Sequence, residues 1–226
     1  MIELANPKIY SSIVSNKSRN IRLDEIKKKK GVNITSSYLS FGIDYFDNPE
    51  ILEGFGAYRY DGRYENCVKN WDGLSSYKGV LDFGCAKGYL LYEFYRLGKK
   101  IVGVDISDYA RSTAKEEIKN CIYKQIQDIP EEYAKNIELI VSRDVFPHIE
   151  EEKLSDVLKT LKNKFKNLKD IYLEFMVEDL GYINSGPSDL MVWDPTTKIV
   201  KTKEYWNSYL EGFELPISVH YKALYE

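Results

Sequence analysis

Val80-Leu81-Asp82-Phe83-Gly84-Cys85-Ala86-Lys87-Gly88 decides how this chain is read. Val80 to Phe83 is a short apolar run with the signature of a buried strand, Gly84 and Gly88 interrupt it, and Tyr89 to Leu97 restarts as a helix. A strand, a glycine turn and a helix leave free backbone N–H groups where the polar end of a ligand can sit. A dinucleotide fingerprint in this setting is Gly-x-Gly-x-x-Gly. Set on Gly84, that pattern falls on Asp82, Gly84 and Lys87, so two of its three glycines are missing.

Outward from the turn, strand and helix patterns alternate. Strands are expected at 79–83, 100–104, 121–125, 137–142 and 170–177, with helices at 87–97, 107–119, 130–135 and 150–168. The last helix is the clearest, because Leu154, Val157, Leu158, Leu161, Phe165 and Leu168 recur at three- and four-residue steps. Strands separated by helices imply an α/β fold with a doubly wound, mostly parallel sheet. A further helix is expected around Tyr64, Cys67, Val68 and Trp71, and another in the segment of Ile21, Leu23 and Ile26, ending at Gly31. The stretch Phe41 to Pro49 reads as turn-rich. Gly181 to Pro195 reads as a loop, Thr202 as the cap of a helix, and Ile217 to Tyr225 as a final strand. Residues 1–53 form an N-terminal extension to a domain spanning 54–226.

At 226 residues the chain is long enough for a full α/β core, and 43% hydrophobic with 30% charged residues is ordinary for a globular domain. No apolar run approaches the ~18 residues of a membrane span, and the N-terminus carries no secretory pattern. Three cysteines without metal-like pairing fit a reducing, cytoplasmic setting. A net charge of −3 gives the whole chain no electrostatic footprint for nucleic acid. Lys27 to Lys30 reads first as a solvated helix end, with an RNA or membrane contact as the minority reading. The 19 tyrosines read as surface and half-buried positions rather than as a binding platform.

The pattern Asp82-x-Gly84-Cys85-x-x-Gly88 resembles motif I of the class I, Rossmann-like S-adenosylmethionine (SAM)-dependent methyltransferases, specifically those of bacterial small-molecule type. The resemblance covers residues 54–178, and it implies that the leading extension, 1–53, packs as a lid over the cofactor mouth. It implies that the glycine turn approaches the methionine portion of SAM and that Asp82 contacts its amino group, as a carboxylate suits an ammonium. A second motif, Ile101-Val102-Gly103-Val104-Asp105-Ile106, places an acid after the second strand, about 20 residues beyond the glycine turn, where ribose hydroxyls are held. Ile106 resembles the apolar residue beside adenine. Asp105 could also cap the next helix, but Ser107 and Asp108 are available for that task. Gln127-Asp128-Ile129 resembles the adenine-contacting third motif, although an Asp before Pro130 is a common cap too.

The fourth motif, 137–149, puts Arg143 and Asp144 at the carboxyl end of a strand and His148 just beyond. Arg143 is assigned to the cofactor. Asp144 and His148 are the catalytic candidates, and a structural His148 is the competing reading. The acceptor-side candidates are Tyr58, Arg59 and Arg63 in Gly54-Phe55-Gly56-Ala57-Tyr58-Arg59-Tyr60-Asp61-Gly62-Arg63. The guanidinium groups suit a carboxylate or a phosphate. The plain alternative is an Asp61-Gly62 turn before a helix bearing a surface arginine. Glu174, Glu178, Asp179, Asp189, Trp193 and Asp194 follow the fifth strand, from which relatives contribute acceptor contacts; His220 reads as structural. The family's usual ending is a helix and an antiparallel strand pair, and this chain is short for both strands.

The activity implied is methyl transfer from SAM, leaving S-adenosylhomocysteine (SAH), to an oxygen of a sugar, nucleotide-linked or phosphorylated small molecule. The absence of Asn/Asp-Pro-Pro-Tyr after the fourth strand weighs against a base- or glutamine-directed enzyme. The alternatives are an RNA or protein methyltransferase and a non-catalytic SAM-fold binding subunit. No metal is implied, no membrane partner is expected, and a homo-oligomer is compatible with the sequence.

Overall fold

The alternating apolar runs assemble into one six-stranded sheet in the computed structural model, which describes residues 34–50, 58–177 and 196–222. Strands β1 (Gly79–Phe83), β2 (Lys100–Val104), β3 (Ile122–Tyr123), β4 (Leu139–Arg143), β5 (Asp170–Met176) and β6 (Ile217–Lys222) lie in the order β3-β2-β1-β4-β5-β6. Every neighbouring pair is parallel. Parallel strands are covered on both faces, which is why β1 is buried along its whole length and reads as an unbroken apolar run around Asp82.

Helices cover the two faces. α1 (Ser36–Leu39) and α2 (Ile43–Phe46) precede α3 (Arg63–Lys69), α4 (Tyr89–Arg96), α5 (Asp108–Ser112), α6 (Glu116–Lys119), α7 (Glu131–Ala134), α8 (Glu151–Lys164) and α9 (Lys203–Glu211). Val68, Leu91, Phe94 and Ile118 from α3, α4 and α6 pack on Val80, Ile101 and Val141 of one face. Leu154, Leu158 and Leu161 of α8 and Trp206 of α9 pack on Leu81, Ile140 and Leu173 of the other. Glu151 and Glu152 open α8 and Lys162 and Lys164 close it, matching the sign of the helix dipole at each end.

Several boundaries differ from the sequence-based expectation. The helix expected over 107–119 is two helices, because Ser112 Oγ and Thr113 Oγ1 both bond back to the Tyr109 carbonyl and Lys115 turns extended. The Lys115 ammonium then sits 4.3 Å from the Tyr60 ring centroid and 4.6 Å from that of Tyr92. The third strand is only two residues, a short edge that pairs with Gly103 and Val104 before the chain turns into a 3-10 turn at Ile126–Asp128. The turn-rich stretch after Phe41 contains α2, whose Tyr45 and Phe46 are buried with Tyr38 and Ala110. Thr202 caps α9 as expected, accepting from the Tyr205 N–H at 3.3 Å. Among the described residues no strand is antiparallel, and β6 pairs directly with β5. The helix expected before Gly31 and the loop Gly181 to Pro195 lie outside the described residues. No described helix is long and apolar enough to cross a membrane.

From β1 the chain winds outward through β2 and β3, and β4 then resumes on the other side of β1. The loops after β1 and β4 therefore diverge, opening a crevice at the carboxyl ends of the strands where open α/β sheets bind their ligands. Strand order alone does not separate a dinucleotide site from other sites in that crevice, since the same order serves both. The side chains in the crevice have to decide.

Candidate active site

A cavity of about 650 Å³ occupies this crevice, walled by the ends of β1, β2 and β4 together with α2, α8 and the segment before α3. The glycine turn forms its floor. Gly84 has φ +79°, and a Cβ there would stand 2.1 Å from Val145 Cγ2, so the close approach of the β1 and β4 loops requires glycine. Gly84 and Cys85 N–H both donate to the Val104 carbonyl at 2.7 and 3.0 Å, tying the turn to the end of β2. Ala86 also adopts a positive φ, +52°, a conformation that is costly for a residue with a Cβ. The sequence pattern treats this position as neutral; the backbone does not.

Ala86 is held there by Asp105. Its N–H donates to Asp105 Oδ2 at 2.7 Å, and the Ser107 N–H donates to Asp105 Oδ1 at 2.9 Å. Ser107 does the capping of α5, its Oγ accepting from the Ala110 N–H at 2.9 Å. Each Asp105 oxygen thus carries one backbone donor and retains a lone pair for a ligand. Burial raises the Asp105 pKa, and the two backbone N–H groups pull it back. Asp82, on the same wall, is 4% exposed. Burial pushes its pKa up to about 7, against the pull of the Arg143 guanidinium. A cation placed against Asp82 would restore the ordinary carboxylate.

Arg143, at the end of β4, is fixed from below. Its Nε and Nη2 donate to Glu174 Oε1 at 3.0 and 2.8 Å, the Tyr172 hydroxyl donates to Glu174 Oε2 at 3.1 Å, and the guanidinium lies 5.3 Å from the Tyr64 ring centroid. Glu174, expected with the acceptor-side loop, is instead a fully buried β5 residue and the partner of Arg143. Glu178, Asp179, Asp189, Trp193 and Asp194 lie outside the described residues. His220 is in β6, in register with Glu174.

The cavity wall brings together Asp82, Gly84, Cys85, Asp105, Ile106, Arg143, Asp144, His148, Tyr58 and Arg63. Asp144 has φ +55°, which aspartate tolerates better than most side chains. His148 bonds through Nδ1 to Thr196 Oγ1 at 3.0 Å. Burial raises the Tyr58 pKa. Arg63 pairs with Asp61 next to the Gly62 turn, so the turn-and-helix reading and the cavity position hold together.

Five expected residues are placed off the wall. Gly88 is a packing position: a Cβ there would meet Ile118 Cδ1 at 2.6 Å. Arg59 is exposed. Gln127 is exposed, Asp128 accepts from Gln125 Nε2 at 3.0 Å, and Ile129 is buried in the core under α8. The two-residue β3 accounts for this, because the following 3-10 turn rolls Ile129 inward.

The sequence reading expected the N-terminal extension to pack over the cofactor but named none of its residues as lining the site. Phe41, Tyr45 and Phe46 line the cavity. The segment is anchored by Lys87 of the glycine turn, whose Nζ donates to Asp47 Oδ2 at 2.5 Å and to the Tyr58 carbonyl at 2.9 Å. The Tyr109 hydroxyl donates to the same Asp47 oxygen at 2.6 Å. Burial raises the Asp47 pKa, but the bonds from Lys87 and Tyr109 outweigh it and hold the carboxyl low. The only sequence signal was a buried-strand turn carrying a lysine with no local partner.

Comparison with known proteins gives the family of the chain. The family described as a methyltransferase domain matches residues 58–211, more than half of the chain, and the chain belongs to that family. Its members use SAM as methyl donor. Among solved structures, a phosphoethanolamine N-methyltransferase 2 from Haemonchus contortus, in complex with SAM, aligns with a TM-score of 0.51 at 14% identity. That alignment covers 90% of this chain but 45% of the other, so the likeness is one of fold. A SAM-dependent methyltransferase from Archaeoglobus fulgidus aligns at 17% identity over 79% of this chain and 72% of its own, with a TM-score of 0.46. The plantazolicin methyltransferase BamL aligns at 18% identity over 92% and 70%, with a TM-score of 0.43. No curated protein matches the chain significantly.

Proposed function

We propose that this chain transfers the methyl group of SAM to an oxygen of a small molecule, either a sugar or a nucleotide-linked or phosphorylated precursor. The observation that supports this reading is the convergence of Asp82, the Gly84 turn, Asp105, Asp144 and His148 on one cavity. SAM supplies a sulfonium-activated methyl that an acceptor lone pair attacks in line, and holding the two reactants in that geometry supplies much of the rate. On this reading Asp82 takes the ammonium, and the backbone of Gly84 and Cys85 admits the methionine chain. Asp105 takes the ribose hydroxyls, and Ile106 meets the adenine. Arg143, held by Glu174, faces the cofactor's polar end.

Asp144 and His148 stand at the acceptor end, where one of them accepts the proton of a hydroxyl acceptor. Tyr58 and Arg63 form the adjoining wall. Lys153, paired with Glu150, and Lys198, whose charge acts on the same carboxylate, reach the cavity, and two cations beside one carboxylate suit an anionic acceptor. Residues 34–50, within the proposed extension 1–53, act as a cover over the cofactor, with the domain proper at 54–226. The off-wall placement of Gln127, Asp128 and Ile129 weighs against the adenine contacts first expected of them.

Calorimetry with SAM and SAH tests the donor half, and absence of binding to either would end the proposal. The acceptor half is tested by transfer of a radiolabelled methyl from SAM into a mixture of small hydroxylated and phosphorylated compounds, run beside total RNA. Label in RNA alone would replace the small-molecule acceptor with the macromolecular one.

A further inference from the structure

His148 is held from two directions. Thr196 Oγ1 is 3.0 Å from its Nδ1, and the Phe41 ring meets the imidazole edge-on with centroids 6.1 Å apart. Thr196 is 3% exposed and stands behind the imidazole rather than on the cavity wall. Its own segment is fixed to the loop that carries His148: the Lys198 and Ile199 N–H groups donate to the Pro147 carbonyl at 2.7 and 3.0 Å. Ile199 is buried in the same core cluster as Phe146. A chain segment far from β4 in sequence is thereby stitched to the residue that precedes the imidazole.

We propose that Thr196 is a positioning residue that keeps the His148 proton on Nδ1 and so presents the Nε2 lone pair to the acceptor; this rests on the reading of His148 as the base. The two imidazole nitrogens are distinct, and the partner of one decides the task of the other. Because Nδ1 is turned to Thr196, Nε2 is the nitrogen that can meet a ligand. A base that takes a proton at Nε2 becomes an imidazolium, in which both nitrogens are donors. The group facing Nδ1 must therefore accept a hydrogen bond before and after the transfer. A threonine oxygen does so without carrying charge, whereas a backbone N–H in that place would oppose the charged ring. In the step itself the acceptor's O–H proton passes to Nε2, the oxygen pair forms the bond to carbon, and the carbon–sulfur pair remains on sulfur.

The chain has two histidines, so ring-nitrogen NMR of ¹⁵N-labelled full-length protein gives two sets of signals, with His220→Gln identifying the other. Spectra are recorded with and without SAH, at alkaline pH. The expected result is a protonated Nδ1 and an unprotonated Nε2 at His148 in the wild type and in Thr196→Ser. In Thr196→Val, which removes the hydroxyl at similar shape, the population moves toward the Nε2–H tautomer that imidazole prefers in water. A wild-type His148 protonated on Nε2 overturns the proposal, and so does a folded Thr196→Val with an unchanged tautomer. Should the valine variant not fold, the wild-type spectrum decides alone. Methyl transfer by His148→Gln keeps the two claims apart. An undiminished rate removes the base and with it the task assigned to Thr196, whereas a wrong tautomer removes Thr196 only.

Discussion

Replacing Asp82 by asparagine should stabilise the ligand-free protein at neutral and alkaline pH while weakening its hold on SAM. Asp82 is 4% exposed, and burial pushes its pKa up to about 7 from an ordinary value of 3.8. The folded state therefore holds the Asp82 proton more tightly than the unfolded chain does. Between pH 4 and 7 the unfolded state has released that proton and the folded state has not, so stability falls as pH rises through this window. Above the folded pKa the full penalty of a buried carboxylate is present, about 4 kcal/mol for a separation of about 3 pH units. Asparagine has the same shape and no charge, so it escapes the penalty. At pH 8 the variant should melt about 10 °C above the wild type, whereas near pH 4 the two should coincide.

The assay is thermal or urea unfolding of both proteins across pH 4–8, compared as a difference curve. The difference is needed because other carboxyls titrate as well. Asp105 is raised by burial and acts in the same direction, whereas Asp47 and Glu138 are lowered and act in the opposite one. Subtraction cancels Asp47 and Glu138 and leaves Asp82 together with its repulsion from the Asp105 carboxylate. A flat difference curve, or an asparagine variant less stable at pH 8, would refute the reasoning. On the proposed contact between Asp82 and the ammonium of SAM, the same carboxyl should set the pH dependence of cofactor binding. A bound ammonium requires the ionised form, so wild-type affinity for SAM should rise by up to about tenfold per pH unit below the apo pKa and level off above it. Asparagine should bind more weakly with no such slope, a pairing that calorimetry at pH 5.5 and 8 would reveal.

The glycine turn yields further expectations. Ala86→Gly removes a left-handed conformation costing about 1–2 kcal/mol but loosens the unfolded chain by about 0.4–1, so melting should rise by the equivalent of up to about 1.6 kcal/mol; a lower melting temperature would contradict the strain. Gly84→Ala drives a Cβ to 2.1 Å from Val145 Cγ2 and should cost about 1–3 kcal/mol for the overlap, beyond the cost of its positive φ. Adding Val145→Ala should return the overlap portion alone, a coupling visible in a double-mutant cycle of unfolding free energies. Asp105→Asn turns an NH₂ toward the Ala86 or Ser107 N–H and should cost about 1–3 kcal/mol, together with SAM affinity. Lys87→Met removes the ammonium that joins Asp47 to the Tyr58 carbonyl, so amide exchange over 38–46 should quicken while β1 stays protected; unchanged exchange would mean the segment is held by its aromatic packing alone.

What could be seen in the sequence and what could not divides along the range of the interactions involved. Gly84 and Asp105 were legible because each answers a local demand: a turn too tight for a Cβ, and an acid at the end of an apolar run. The strand set was legible for the same reason, since a strand buried on both faces writes itself as consecutive apolar residues. The contacts that complete the site are non-local. Glu174 lies on β5 and meets Arg143 only because the two strands pair in parallel register, and Asp47 meets Lys87 across a fold of the chain that no periodicity announces. Gln127 to Ile129 show the converse case. Spacing after Asp105 pointed them to the cavity, yet a third strand of two residues cannot carry the chain that far before it turns. Ala86 is the most instructive position. A pattern counts it as any residue, but the Asp105 carboxylate, 19 positions away, holds its N–H and thereby its strained backbone. The two motifs read separately from the sequence are thus one hydrogen-bonded unit, and a change at Asp105 should be felt at the glycine turn as directly as a change in the turn itself.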